Sequence, residues 1–217
     1  MASRLIVFDF DGTLIDSRAD LATAVNLVRA DYGLAALPVA TVTQYIGDGV
    51  RKLLERALAG DTIDIPEAIG RMRGHYAAHL VEATTLYPGA AAALRDIVAL
   101  GYRLAIVSNK PEEPTKAICR HFGIDSLFSV ILGGDSCRNL KPHPEPLLLC
   151  LERTGCAVEG SWIVGDNHTD MAAGRNAGFA RCYCTFGFGQ LKEETYDLAV
   201  DSLGEFAAHL RRAGKAP

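Results

Sequence analysis

The sequence predicts an α/β protein: a Rossmann-like core with a mainly parallel sheet, plus an all-helical unit inserted after the first strand. Three observations carry this. Short, continuous apolar runs alternate with segments of helical period, as expected of strands buried on both faces and covered by helices. Several helical segments stop at a glycine, namely Gly101, Gly123, Gly155 and Gly178, which suits a left-handed cap. Residues 16–84 break the alternation, with helical pattern and no convincing strand.

Taken in order, residues 5–8 (Leu-Ile-Val-Phe) read as the first buried strand, ended by Asp9. Residues 20–32, 49–59 and 66–82 follow as amphipathic helices, with Asp16 or Ser17 placed to cap the first. The Tyr87-Pro88-Gly89 turn marks the return to the core. Helix 90–100 then leads to strand 104–107, helix 113–122 to strand 130–132, and helix 144–153 to strand 162–164. Helix 169–177, weaker strands at 181–186 and 198–200, and helix 204–212 complete the chain. The division expected is residues 1–15 with 85–217 as an α/β catalytic core, and residues 16–84 as a helical cap.

Composition narrows the function. The chain has 217 residues, a formal net charge of −4 and 22% charged residues, the balance of an ordinary folded protein. No broad basic field is available for nucleic acid. No apolar run approaches the roughly 18 residues of a membrane span, and none looks like a signal peptide. Six cysteines lack any Cys-x-x-Cys pair, so a zinc ribbon is not expected and the thiols suit a reducing cytoplasm. No nucleic-acid and no membrane partner is expected. Monomer and homodimer remain open.

The residues that follow each apolar run are the informative ones. The strand at 5–8 is followed by Asp9-Phe10-Asp11-Gly12-Thr13, and the strand at 104–107 by Ser108-Asn109-Lys110. The strand at 130–132 is followed by Gly133-Gly134-Asp135 and, shortly after, Lys141. The strand at 162–164 is followed by Gly165-Asp166-Asn167-His168-Thr169-Asp170. In an open parallel sheet, ligands bind beyond the carboxyl ends of the strands, so four strands deliver polar groups to one crevice. Asp9, Asp11, Asp166 and Asp170 crowd negative charge there, which a hard divalent cation such as Mg²⁺ would relieve. Lys141 adds a positive charge, Ser108 a hydroxyl, and Gly12 lets a phosphate approach the backbone.

Together, Asp9-x-Asp11-Gly12-Thr13, Ser108, Lys141 and Gly165-Asp166-x-x-x-Asp170 resemble the four motifs of the haloacid dehalogenase superfamily, in its helical-cap subfamily. Ile46-Gly47-Asp48-Gly49, Tyr87-Pro88-Gly89, Gly133-Gly134-Asp135 and Lys141-Pro142-His143-Pro144 further resemble the phosphoglycolate phosphatase subgroup. The resemblance implies that Asp9 is a nucleophile forming an aspartyl-phosphate, and that Asp11 is the acid and then the base. It implies that Ser108, Asn109 and Gly12 hold phosphoryl oxygens beside Lys141. Mg²⁺ would be held by the Asp9 carboxylate, the Asp11 carbonyl and the Asp166 carboxylate, with Asp170 a ligand or an orienter of ligands. The partner it implies is a small phosphorylated metabolite. The expected reaction is hydrolysis of a small phosphomonoester, 2-phosphoglycolate first. The alternatives are a β-phosphoglucomutase-like transferase, a phosphatase for sugar phosphates, amino-sugar phosphates or pyrophosphate, and a non-catalytic binding protein on the same scaffold.

The helical unit is expected to choose the substrate. Gly47 and Gly49 flank a loop suited to the active-site mouth, and Arg51 is placed to meet a substrate carboxylate. His75 and His79 are spaced as metal ligands on a helix, but no third ligand lies nearby in sequence, so they read as a solvated or capping pair.

Overall fold

A computed structural model describes residues 4–59 and 62–214. The chain begins with strand β1 (Arg4–Phe8), and the short strand β2 (Ile15–Asp16) follows it. Four helices come next: α1 (Arg18–Asp31), α2 (Val39–Thr43), α3 (Val50–Ala57) and α4 (Ile65–Ala78). The short strand β3 (Thr85–Leu86) pairs antiparallel with β2, so the outgoing and returning chains leave the core side by side. The remainder alternates as α5 (Ala90–Ala99), β4 (Arg103–Val107), α6 (Glu112–His121), β5 (Val130–Leu132), α7 (Glu145–Thr154) and β6 (Ala157–Gly165). It closes with α8 (His168–Ala177), β7 (Ala180–Cys184), β8 (Leu198–Val200) and α9 (Leu203–Ala213).

Among the described residues, the main sheet has six strands in the order β5-β4-β1-β6-β7-β8, and every pairing is parallel. The expected α/β core with a parallel sheet is thus borne out. The unbroken apolar run of β1 has a direct physical reason. Ile6 and Phe8 face one layer with α5 and α9, while Leu5 and Val7 face the other with α7 and α8. A strand covered on both sides has no polar face to alternate with. Helices α7 and α8 end on Gly155 and Gly178, both left-handed.

Helices α1 to α4 gather a separate hydrophobic cluster that includes Val25, Val28, Val42, Leu54, Ala68 and Met72. Asp64 caps α4 by accepting from the Glu67 amide. Asp20, buried near the start of α1, accepts from the amides of Ala83 and Thr84 and from the Thr84 hydroxyl. One carboxylate thereby ties the start of the helical segment to its end. Ser17 occupies the N-cap position of α1 but caps nothing, because its hydroxyl is drawn to Asp11 instead.

Several elements differ from the sequence expectation. The 16–84 stretch does contain strand, because Asp16 belongs to β2. A two-residue ribbon has too few positions to show a period. The short helix α2 was not anticipated, and α4 stops at Ala78, short of 82. Strand β6 starts at Ala157, five residues before the apolar run. Its register against β1 shifts between Arg4 and Ile6, where the Leu5 amide donates to the Ser161 hydroxyl at 2.8 Å.

Candidate active site

The site lies at the carboxyl ends of β4, β1 and β6, three adjacent strands of the sheet. Asp9 follows β1, Ser108 follows β4 and Asp166 follows β6. The chain folds back tightly after Asp9. The Phe10 side chain is fully buried, and its carbonyl accepts from the amides of Leu14 and Ile15. Gly12 has φ of +92°, and a Cβ there would lie 2.0 Å from the Asp166 carboxylate. Only glycine permits this approach.

Lys141 is the electrostatic centre. Its ammonium donates to Asp9 Oδ1 at 2.7 Å, to Asp170 Oδ1 at 2.6 Å and to the Val107 carbonyl at 2.6 Å, which uses all three of its protons. Asp170 in turn accepts from the Asn167 amide at 3.0 Å as part of the capping box of α8. Asp166 Oδ2 accepts from the amides of Phe188 at 3.0 Å and Gly189 at 2.7 Å, and Thr13 donates to Oδ1 at 3.3 Å. The 187–189 segment that supplies these amides had no sequence signal.

Asp9, Asp166 and Asp170 are buried, and one ligand atom from each lies within 4.8 Å of the others. Two of the three, Asp9 and Asp170, share the Lys141 ammonium, while Asp166 has no cationic partner among the described residues. Burial, and then the Asp170 charge, push Asp9 up to about 7 against the pull of Lys141. Burial and the charges of Asp9 and Asp170 hold Asp166 well above the usual carboxylate range. A buried, oxygen-only donor set with excess negative charge fits a hard divalent cation. Asp9 and Asp166 would hold such a cation, while Asp170 is bonded to Lys141 and the helix cap.

Asp11 occupies a different setting. Lys110 donates to both of its carboxylate oxygens, at 2.6 and 2.8 Å, and Ser17 donates to Oδ1. The Lys110 side chain is only 4% exposed. Burial, the largest single influence, lowers its pKa, but the charge and hydrogen bonds of Asp11 together with the adjacent Tyr76 outweigh it and raise the pKa, so the lysine stays cationic. Its ammonium lies 4.9 Å from the centroid of the Tyr76 ring on α4. Burial pushes the Tyr76 phenol up to about 12 against the pull of the adjacent Lys110, and its hydroxyl makes no well-formed hydrogen bond among the described residues.

The other expected site residues divide between sheet and helices. Ser108 is buried, and its hydroxyl accepts from the Lys110 amide at 3.2 Å. The Asn109 side chain acts as a tie. It donates to the carbonyls of Gly47 and Lys141 and accepts from the Lys141 amide, joining the 46–49 loop to the sheet edge. Gly47 and Gly49, both at positive φ, lie in that loop, which Arg56 braces through Asp48 and the Tyr45 carbonyl. Arg51 lines the same cavity but is solvent-exposed. His75 and His79 bond to Asp31 and Glu82, away from the acidic cluster.

These groups face a cavity of about 940 Å³ between sheet and helices. Its sheet side carries Asp9, Asp11, Ser108, Lys141 and Asp166. Its helical side is largely apolar, with Leu21, Val50, Leu53, Ile69 and Met72 around Tyr76. Sequence reasoning missed Tyr76 and the use of Lys110. Tyr76 had only the signal of a core position on an amphipathic helix.

Comparison with known proteins agrees with this geometry. The family profile described as Haloacid dehalogenase-like hydrolase matches residues 6–183. The chain is 37% identical to the phosphoglycolate phosphatase of Psychrobacter arcticus, over 96% of this chain and 94% of that protein. It is 38% identical to the phosphoglycolate phosphatase of Aquifex aeolicus, over 91% of this chain and 92% of that protein. The crystal structure of a predicted phosphoglycolate phosphatase from Haemophilus somnus 129PT superposes with a TM-score of 0.88 at 31% identity, covering 95% of this chain and 97% of that one.

Proposed function

The chain belongs to the haloacid dehalogenase-like hydrolase family, and from that membership we propose that it hydrolyses 2-phosphoglycolate to glycolate and phosphate, using Mg²⁺ and an aspartyl-phosphate at Asp9. It is a phosphoric monoester hydrolase, as its relatives are. Phosphatases of the family act on small phosphorylated substrates and generally use a divalent metal. No helix among the described residues is long and apolar enough to cross a membrane, and the cytoplasm is the compartment proposed.

The observation that carries the mechanism is that two aspartates, two residues apart, sit in opposite charge settings. Asp9 shares Lys141 with Asp170 and lies beside Asp166, whereas Asp11 is paired with Lys110 and Ser17. In the cation-free chain burial and Asp170 disfavour the ionised Asp9 that attack requires, so a divalent cation would supply that ionisation, and Asp11 would have to meet the substrate in its protonated form to act as acid. In the first half-reaction a carboxylate oxygen of Asp9 attacks phosphorus in line. A bond from Asp9 to phosphorus forms as the ester P–O bond breaks, and Asp11, which enters this step protonated and so released from its ion pair with Lys110, gives that proton to the departing oxygen. In the second, Asp11 takes a proton from water, whose oxygen attacks phosphorus and displaces Asp9, releasing phosphate. Lys141 orients Asp9 and offsets the charge of the phosphoryl group. Ser108, with the amides beside Gly12 and Asn109, donates to phosphoryl oxygens. A divalent cation, when bound, neutralises charge so that an ionised carboxylate can approach a phosphate.

The test is a panel of phosphomonoesters ranked by kcat/KM, with and without chelation. The expected result is 2-phosphoglycolate first, with phosphate release lost on chelation and restored by Mg²⁺. A sugar phosphate ranked first overturns the substrate. Conversion of glucose 1-phosphate to glucose 6-phosphate without phosphate release overturns hydrolysis.

A further inference from the structure

We infer that Lys110 and Tyr76 form the subsite that recognises the carboxylate of the leaving group, and that they make the enzyme selective for it. The inference rests on the 2-phosphoglycolate reading above and deepens it. The cavity is lined by four basic side chains: Arg51, Arg73, Lys110 and Lys141. Lys141 has spent its three protons on Asp9, Asp170 and Val107. Arg51 and Arg73 are exposed on α3 and α4, where water and salt weaken their attraction for an anion. Lys110 alone is both buried and short of an acceptor. Two of its protons meet Asp11, and no other acceptor bonds its ammonium among the described residues.

Position supports the assignment. The leaving oxygen must come within hydrogen-bond reach of Asp11, which protonates it. Lys110 touches that same carboxylate at 2.6 and 2.8 Å. In 2-phosphoglycolate the carboxylate carbon is two bonds from the leaving oxygen. That linkage lets a carboxylate oxygen lie one hydrogen bond, roughly 2.7–3 Å, from the Lys110 ammonium nitrogen. A carboxylate has two oxygens, and the second needs a donor. Tyr76 lines the cavity, and its buried hydroxyl makes no hydrogen bond among the described residues. Its ring already packs against the ammonium at 4.9 Å. Around it the wall offers Leu53, Met72 and Leu80, none of which can donate. An orphan phenol beside a buried ammonium is a donor pair matched to one carboxylate.

A site built this way penalises any substrate that leaves it unfilled. The experiment compares kcat/KM for 2-phosphoglycolate and for 2-hydroxyethyl phosphate, which keeps the ester linkage and lacks the carboxylate. Using the ratio cancels any loss in the shared phosphoryl chemistry. The wild-type ratio is expected to exceed about 100 in favour of the carboxylate, a conservative share of such discrimination. Lys110→Met is expected to bring it below about 10, and Tyr76→Phe, which removes one hydroxyl, to lower it about tenfold, chiefly through KM. Tyr76→Phe keeps the inference open to failure should Lys110→Met not fold. A ratio unchanged in Tyr76→Phe, or one that survives in Lys110→Met and collapses in Arg51→Gln, overturns it. A wild-type enzyme that hydrolyses both esters equally also overturns it while leaving the phosphatase intact. A wild type that hydrolyses neither ester but cleaves a sugar phosphate overturns the 2-phosphoglycolate reading itself and the inference with it.

Discussion

On the sheet side of the cavity, Asp9, Lys141, Asp166 and Asp170 are buried and each is bonded to a neighbouring strand end or loop, while on the helical side Leu53, Met72 and Ile69 form an apolar wall broken by one unbonded hydroxyl. The first surface holds charge that the fold alone does not neutralise. The second is mainly apolar, and its positive charges, Arg51 and Arg73, are solvent-exposed. On the proposed mechanism the difference separates two tasks: reaction at phosphorus would depend on fixed charges at strand ends, and choice of substrate on a few donors set in an apolar surface. Each side can be perturbed without the other, which makes the separation testable.

The largest expected effect is on the sheet side. Asp9→Asn should lower kcat by at least about 10⁴-fold, as loss of a nucleophile does. Its cation-free stability at pH 8, read by urea unfolding, should hold or rise, because a charge that burial and Asp170 disfavour has gone. Lys141→Met should behave oppositely, costing about 3–5 kcal/mol in the same measurement, since it strands the carboxylates of Asp9 and Asp170 without their partner. A Lys141→Met protein as stable as wild type contradicts this account of the acidic cluster.

On the helical side, Leu54 is fully buried in the cluster of α1 to α4 and does not line the cavity. Leu54→Ala should cost about 2–5 kcal/mol by unfolding. Calorimetry should find Mg²⁺ affinity within about twofold of wild type, if the acidic cluster is independent of helical packing. A large loss of affinity would merge the two regions into one unit.

The smallest effect concerns pH. Asp9 is raised in the folded chain from its ordinary 3.8 to about 7. Between those values the folded state keeps a proton that the unfolded state has lost. Cation-free protein is therefore expected to lose stability from this group as pH rises through that window. A cation binds the ionised cluster, so its stabilising effect grows over the same window. At a hundred times its Kd the gain is about 2.7 kcal/mol, or roughly 5–10 °C in Tm. That increment should be larger at pH 8 than at pH 5 by thermal unfolding, and equal increments contradict the assignment of the cation to this cluster.

Much of the sheet side was legible in the sequence because Asp9, Ser108 and Asp166 each follow an apolar run. A parallel sheet sends all its strand ends to one edge, so chain order alone gathers them. Lys141 was legible only through its motif, since it lies in a loop eight residues beyond Gly133. The rest was hidden for physical reasons. Lys110 was visible in Ser108-Asn109-Lys110, but a lysine after a strand reads as solvated until packing against Asp11 and Tyr76 shows otherwise. Tyr76 has the spacing of any core residue on an amphipathic helix. The amides of Phe188 and Gly189 that hold Asp166 carry no residue signature, because any backbone supplies them.

The central claim is that Asp9 carries the phosphoryl group. Wild-type enzyme mixed with 2-phosphoglycolate and Mg²⁺, quenched in acid within one turnover and digested, should yield the peptide containing Asp9 with one added phosphoryl mass. That mass should be absent from Asp9→Asn and should decay at the rate of phosphate release. A phosphoryl group found on another residue, or full turnover with the Asp9 peptide never modified, contradicts the account.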